Sequence, residues 1–222
     1  MDASPQTLTV QVDIVSDVVC PWCVVGYLQL RQALDTLTGE VLPDIRWHPF
    51  ELNPQMPVEG QDLREHLAGK YGASETRSAA VREQLISAGN ALGFRFDYFD
   101  GMRMVNTFRA HQLLHWAQTQ GLQSELQMAL FTAFFSRRRD INDPEVLVAT
   151  ATAVGLDAAT AHAVLADERY GEAVRAAQRE WREREVYAVP TFVFAQQYSV
   201  PGAQDAETFV RVLRKLIASG RT

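Results

Sequence analysis

Two thiols separated by two residues, Cys20 and Cys23, are the side chains of this sequence best suited to chemistry, and they are its only cysteines. At the first turn of a helix, that spacing lets both sulfurs close a small disulfide ring without moving the backbone. A helix N-terminus also favours negative charge, because its unpaired N–H groups and its dipole point there, and so it stabilises the thiolate of the first cysteine. Pro21 supplies the helix start: its missing N–H costs nothing at the first helical position and its φ is already helical. Cys20 then falls at or near the N-cap. The chemistry this arrangement suits is dithiol redox exchange. Reading both cysteines as small buried hydrophobes leaves their pairing unexplained. A zinc site needs two further ligands, and the His111/His115 pair lies too far along the chain for a zinc-finger half-site and reads as helix surface.

The elements that position the pair are legible on both sides of it. Leu8 to Val15 alternates as a strand, with Val10, Val12 and Ile14 on one face, and Ser16 and Asp17 form the loop that delivers the cysteines. A helix from Pro21 to Leu37 follows, with Tyr27, Leu30, Leu34 and Leu37 as its apolar stripe and Gly39 as its stop. Ile45 to Leu52 reads as a second strand, placed at an edge by Pro49. From Asp62 to about Leu165 the pattern is helical throughout: helices near Thr76–Leu92 and Thr107–Thr119, a capping box at Ser124-Glu125-Leu126-Gln127, Asp143-Pro144-Glu145 as a helix start, and another start at Asp157. A long helix from Asp167 to about Glu185, strands at Thr191–Phe194 and Tyr198–Val200, and a helix from Ala206 to Ser219 complete the chain. The order implies an α/β sheet domain interrupted by helices: residues 1–61 and 166–222 form the core and 62–165 an insertion.

Composition bounds the function. At 222 residues and 47% hydrophobic content the chain can bury a full core. A net charge of −6 argues against a nucleic-acid surface or a polybasic membrane anchor. Arg137-Arg138-Arg139, followed by Asp140, reads as a solvated helix end. Met1 to Thr7 has no basic stretch of a secretion signal and no apolar run reaches membrane-span length, so the expected location is cytoplasmic. In a reducing compartment a lone cysteine pair is catalytic or redox-sensing more often than structural. Asp13 and Asp17 shortly precede the pair in sequence, and His48 in the second strand is a candidate to line the groove. Either acid could take the proton of Cys23 or cap the helix, but loop or surface acids, and a structural histidine, are the simpler readings. The aromatic set Phe94, Phe96, Tyr98 and Phe99 reads as a loop packed on the bundle, with a hydrophobic substrate surface as the alternative.

The segments Ser16-Asp17-Val18-Val19-Cys20-Pro21-Trp22-Cys23 and Val189-Pro190-Thr191-Phe192-Val193-Phe194 resemble the two signatures of DsbA-like thioredoxin-fold oxidoreductases. Trp47-His48-Pro49-Phe50-Glu51-Leu52-Asn53-Pro54, Asn106-Thr107-Phe108-Arg109-Ala110-His111 and Gly202-Ala203-Gln204 are similar to the FrnE-type branch, in which a helical domain is inserted into the thioredoxin core. The resemblance implies a thiol–disulfide oxidoreductase, with isomerase activity as an extension, acting on protein or small-molecule disulfides. It implies Cys20 as the exposed nucleophile, Cys23 as the more buried resolving thiol, and Pro21 and Trp22 as the dipeptide that tunes the couple, with Trp22 an exposed contact residue. It further implies a cis Val189-Pro190 bond in a substrate-binding loop that includes Thr191. No resident cofactor or metal is implied, glutathione or a thioredoxin-type protein is the expected reductant, and relatives suggest a homodimer. The same insertion architecture resembles glutathione-dependent isomerases and kappa-class transferases, which generally carry serine at the position of Cys20. Retention of both cysteines counts against that alternative.

Overall fold

The computed structural model describes residues 7–220, so residues 1–6, part of the stretch read above for a secretion signal, lie outside the described residues. The chain starts with β1 (Leu8–Ser16), turns through Cys20 into α1 (Pro21–Thr36), and returns in β2 (Val41–Pro49), parallel to β1. It continues through β3 (Gln61–Asp62), α2 (Leu63–Tyr71), α3 (Glu75–Ala91), β4 (Arg103–Met104), α4 (Phe108–Thr119) and α5 (Gln123–Phe131). After a π-helical turn at Thr132–Ser136 come α6 (Pro144–Ala153), α7 (Ala158–Asp167), α8 (Gly171–Glu183), β5 (Thr191–Phe194), β6 (Tyr198–Pro201) and α9 (Ala206–Ser219). The main sheet has the order β2-β1-β5-β6, with β5 antiparallel to both of its neighbours. It is a thioredoxin-like α/β sheet, and a helical insertion separates β2 from the strands that complete it.

Both faces of this sheet are covered, which explains why β5 carries apolar side chains on both sides. In β5, Phe192 and Phe194 face α9, with Phe192 4.8 Å and Phe194 6.0 Å from the Phe209 ring. Val193 points the other way, into a small cluster with Val15, Val186 and Trp181 of α8. Side-chain caps set helix starts at Asp143 and Asp157 as the sequence indicates, with Asp143 accepting from Glu145 N and Asp157 from Thr160 N, and Asp205 caps α9 by accepting from Thr208 N. Among the described residues no helix is long and apolar enough to cross a membrane.

Four expectations are corrected. The second strand is Val41–Pro49 rather than Ile45–Leu52, because parallel pairing with β1 recruits Val41 to Asp44 despite Pro43, and the ladder ends at Pro49. Residues 62–165 are not helical throughout: β3 and β4 form a two-residue ribbon, too short to leave a periodic signal. The helix expected from Asp167 begins only at Gly171. Asp167 closes on Arg169 and Glu168 takes φ 48°, so the chain turns between α7 and α8. Ser124 does not cap α5, whose N-cap is Leu122 without a side-chain hydrogen bond.

Ser124 instead joins the device that attaches the insertion to the sheet. The outer edge of β2 is covered by one side chain: Trp47 N donates to Gln123 Oε1 and Gln123 Nε2 donates to Trp47 O, both at 2.9 Å. A primary amide carries the donor and acceptor that a further strand would supply, so both backbone groups of Trp47 are satisfied away from water. Trp47 Nε1 donates to Ser124 Oγ, and its ring sits between Tyr27 of α1 and Phe131 of α5. Gln123→Ala leaves both backbone groups without partners and is expected to destabilise the protein by about 2–4 kcal/mol. Denaturant unfolding checks this, and a change of only a few tenths of a kcal/mol would show that the amide is dispensable.

Candidate active site

The end of β1 and the start of α1 build the site. Cys20 N donates to Asp17 O at 3.0 Å, which closes the loop after β1 and places Cys20 at the N-cap with extended φ −91° and ψ 110°. Pro21 holds the first helical position, and Cys23 N donates to Cys20 O at 3.1 Å. Both cysteines are free thiols. The structure corrects one expectation here: Cys20 is not openly exposed but only 4% accessible, while Cys23 is fully buried. The cause is the insertion, which closes over the start of α1. Cys20 therefore opens onto a cavity of about 500 Å³ rather than onto the outer surface. Trp22 is half-buried on the same cavity wall, beside Pro21.

Burial and sequence position give the two thiols different roles. Burial pushes the Cys23 thiol well above its ordinary pKa, and its hydrogen bond to Cys20 and the charge of Cys20 push in the same direction. The Ser16 hydroxyl and the Asp17 backbone N–H offset part of that shift. Cys23 therefore keeps its proton at neutral pH. Cys20 is the sulfur that substrate can reach, at a helix end that favours anions. Its charge also acts on two phenols across the cavity: burial, and after it the Cys20 charge, raises both Tyr71 and Tyr98 above the usual tyrosine range.

The second wall of the site is the loop before β5. The Val189-Pro190 bond is cis, and the Cys20 thiol donates to Val189 O at 3.7 Å. Two further bonds fix the loop: Gly202 N donates to Pro190 O and Thr191 Oγ1 to Ala188 O, each at 2.8 Å. Val189 borders the cavity, whereas Pro190 and Thr191 are buried behind it. Thr191 is a strut of the loop, its hydroxyl engaged by Ala188. Helix α1 reaches this loop through Gly26, where an added Cβ would lie 3.0 Å from the Phe192 ring and 3.2 Å from Pro190.

Asp13, Asp17 and His111 are all buried rather than surface groups: Asp13 lies within β1, Asp17 in the loop that follows it, and His111 on α4. Asp13 is 3% accessible and joined by its Oδ1 to His48 Nε2 at 2.7 Å; Gln11 Nε2 donates to its other oxygen. The His48 ring lies tilted against Trp181, with centroids 4.7 Å apart. Asp17 is fully buried, and its Oδ2 accepts from Leu52 N at 2.7 Å. His111 reaches it from α4, with Nε2 3.4 Å from Asp17 Oδ1 and 3.2 Å from Phe50 O. The sequence shows these residues only as polar positions. That β1 is covered on both faces, and that α4 crosses its end, are tertiary facts. Among the described residues no group of three or more His, Cys, Asp or Glu side chains is gathered to hold a metal ion.

Most cavity residues come from α2, α3 and the segments after them, and local pattern gives no sign of them apart from Tyr98. Leu67 and Tyr71 of α2, Arg77 and Val81 of α3, and Phe134 of the π-helical turn converge on Cys20 from three elements. The aromatic set divides: Phe94 and Phe96 are buried, and Tyr98 borders the cavity.

Sheet, insertion, paired thiols and cis-proline loop together define a class, that of thioredoxin-fold dithiol proteins, and sequence comparison specifies it. Residues 11–214 match the DSBA-like thioredoxin domain, and the chain belongs to that family. It is a DsbA-like thiol–disulfide oxidoreductase whose CxxC pair is Cys20–Cys23. A probable DsbA oxidoreductase of Streptomyces coelicolor, SCO1869, is 35% identical and superposes with a TM-score of 0.89, over 96% of this chain and 92% of that one. The uncharacterized protein YwbO of Bacillus subtilis is 27% identical over 207 residues, 93% of this chain and 96% of its own length. A putative protein disulfide isomerase of Nitrosomonas europaea shares the fold at 12% identity, with a TM-score of 0.66 over 96% of this chain and 99% of its own.

Two measurements test this geometry. Iodoacetamide labelling of the reduced, folded protein, followed by peptide mass spectrometry, should modify Cys20 well before Cys23, and the difference should persist as pH rises toward 9 because burial holds the Cys23 proton. Equal rates would contradict the assignment. Gly26→Ala should destabilise the protein, although alanine is about 1 kcal/mol better than glycine within a helix. Phe192 is fully buried and packed against Phe209, so a more stable variant would show that the close approach at Gly26 does not constrain the site.

Proposed function

We propose that this protein is an oxidoreductase of the FrnE-type branch that exchanges disulfides through Cys20 and Cys23 within a reducing compartment. The observation that carries the reading is the pairing of an accessible thiol at the cavity floor with a fully buried, protonated thiol one helical turn behind it. The segments around Trp47–Pro54 and Asn106–His111 support the branch. That the chain's only two cysteines both lie in the site supports the compartment, since nothing in the sequence provides a structural disulfide.

In the reducing direction the Cys20 thiolate attacks one sulfur of a substrate disulfide. A Cys20–substrate disulfide forms, and the other substrate sulfur leaves as a thiolate. Cys23 then loses its proton and attacks the Cys20 sulfur, which closes the ring and releases the second substrate thiolate. Two electrons pass to the substrate, and glutathione or a thioredoxin-type protein restores the dithiol. The oxidising direction reverses each step. When a substrate thiol rather than Cys23 resolves the mixed disulfide, the result is isomerisation. Burial of Cys23 opposes its deprotonation, because the charged form must appear in an apolar setting.

Cys23→Ser is expected to accumulate a covalent Cys20–substrate adduct, seen by mass spectrometry after incubation with glutathione disulfide. Cys20→Ser should accumulate none. Adducts on Cys23 in the second variant, or none in either, would defeat the assignment of roles.

A further inference from the structure

The cavity beside Cys20 contains groups that disulfide exchange by itself does not require. Its volume of about 500 Å³ lies within the range of small-ligand sites, about 300–1,000 Å³. Its walls are largely apolar: Leu67 of α2, Val81 and Leu85 of α3, Met102, and Phe134 with Phe135. The two phenylalanines come from the π-helical turn, in which Arg137 N donates to Thr132 O. A turn of that kind re-aims side chains and recurs at functional sites.

Two arginines of α3, Arg77 and Arg82, border the same space. Three other arginines of the insertion are paired, Arg64 with Asp100, and Arg95 and Arg138 with Asp97. Among the described residues no carboxylate lies within ion-pair distance of Arg77 or Arg82. Asp62 and Asp100 share a smaller neighbouring cavity with Arg82, but one caps α2 and the other is held by Arg64. A cavity with a thiol at one wall, apolar sides and two cations without carboxylate partners is complementary to a ligand with a sulfur, an apolar body and an acid group.

Resting on the oxidoreductase reading, we propose that the cavity takes a small apolar disulfide or thiol that carries a carboxylate. Its sulfur meets Cys20, its body lies between α2, α3 and Phe134, and its carboxylate binds Arg77 and Arg82. The limited accessibility of Cys20 favours such a molecule over a disulfide on the surface of a folded protein. Reduction is balanced without further reactants. The dithiol and one symmetric disulfide give the Cys20–Cys23 disulfide and two substrate thiols, with the two protons of the dithiol passing through water to the products.

The pre-reduced protein is mixed, in single turnover, with dithiodibenzoic acid, with its dimethyl ester, or with insulin. Each rate is normalised to the rate of the same disulfide with dithiothreitol. The acid is expected to react at least about tenfold faster than the ester, the factor of a charge-assisted contact. The Arg77→Gln/Arg82→Gln variant should bring that ratio to near one, and Arg77→Lys/Arg82→Lys should keep most of it. Because the ratio is read within each variant, a general loss of fold does not imitate the effect. Equal rates for acid and ester, a ratio unchanged by the glutamine variant, or faster reduction of insulin than of the acid would overturn the proposal. Calorimetric titration with a carboxyphenyl methyl thioether and its ester provides a readout without redox chemistry. Arginine-dependent preference for the acid, with no disulfide reduced by the native protein, would uphold the binding site and overturn the oxidoreductase reading; no such preference would overturn the site.

Discussion

The close seating of α1 against the loop that precedes β5 is the contact on which the rest of the site depends. It is permitted by the missing side chain at Gly26, where Phe192 and Pro190 would lie closer to a Cβ than ordinary van der Waals contact allows. Because the helix can approach this far, its N-terminal cysteine meets the Val189 carbonyl, and a strand end, a helix start and a distant loop become one surface. Packing at β5 is dense on both faces, with Phe192 and Phe194 against α9 and Val193 against Trp181, so the loop has little freedom to recede. Close-packed interiors pass on such constraints rather than absorb them.

The insertion changes what this constellation can do. In a bare thioredoxin-like core the start of α1 faces solvent. Here α2, α3 and the π-helical turn close over it and convert an exposed sulfur into the floor of a chamber. Gln123 and Ser124 attach the inserted helices to the edge of β2, while His111 and Lys70 reach the loop that follows it. Lys70 Nζ donates to Leu52 O and Asn53 Oδ1, both at 2.6 Å. The cavity wall is thus fixed to the sheet through the Phe50–Asn53 segment, and the fully buried Asp17, bonded to Leu52 N, secures that segment from the core side.

Much of the fold could be read from the sequence because the informative signals are local. Pro21 and the cysteine spacing mark the start of α1, alternation marks β1, and Asp143-Pro144-Glu145 marks the start of α6. The family likeness pointed to the cis bond at Pro190, which proline statistics alone would have rejected. What could not be read is set by tertiary contact. Val41 to Asp44 are a strand because β1 lies beside them, and Ser124 serves Trp47 rather than its own helix. His111 looks like a helix-surface residue until α4 is seen to cross the end of β1. Of the cavity residues in the insertion, only Tyr98 stands out in the sequence, within an aromatic set; Tyr71, Arg77 and Phe134 lie on separate elements, and nothing in their spacing joins them. The same insertion is why Cys20, read as an open nucleophile, is nearly covered.

The central claim is that Cys20 and Cys23 form one reversible two-electron couple. Equilibrating the protein across a series of glutathione redox ratios, quenching with acid and counting free thiols by mass spectrometry tests it directly. The expected result is a single transition from two free thiols to an intramolecular disulfide, following a two-electron Nernst curve of about 30 mV per decade. A transition that stops at glutathione bound to Cys20, with Cys23 still a free thiol and no ring formed at any ratio, would contradict the account.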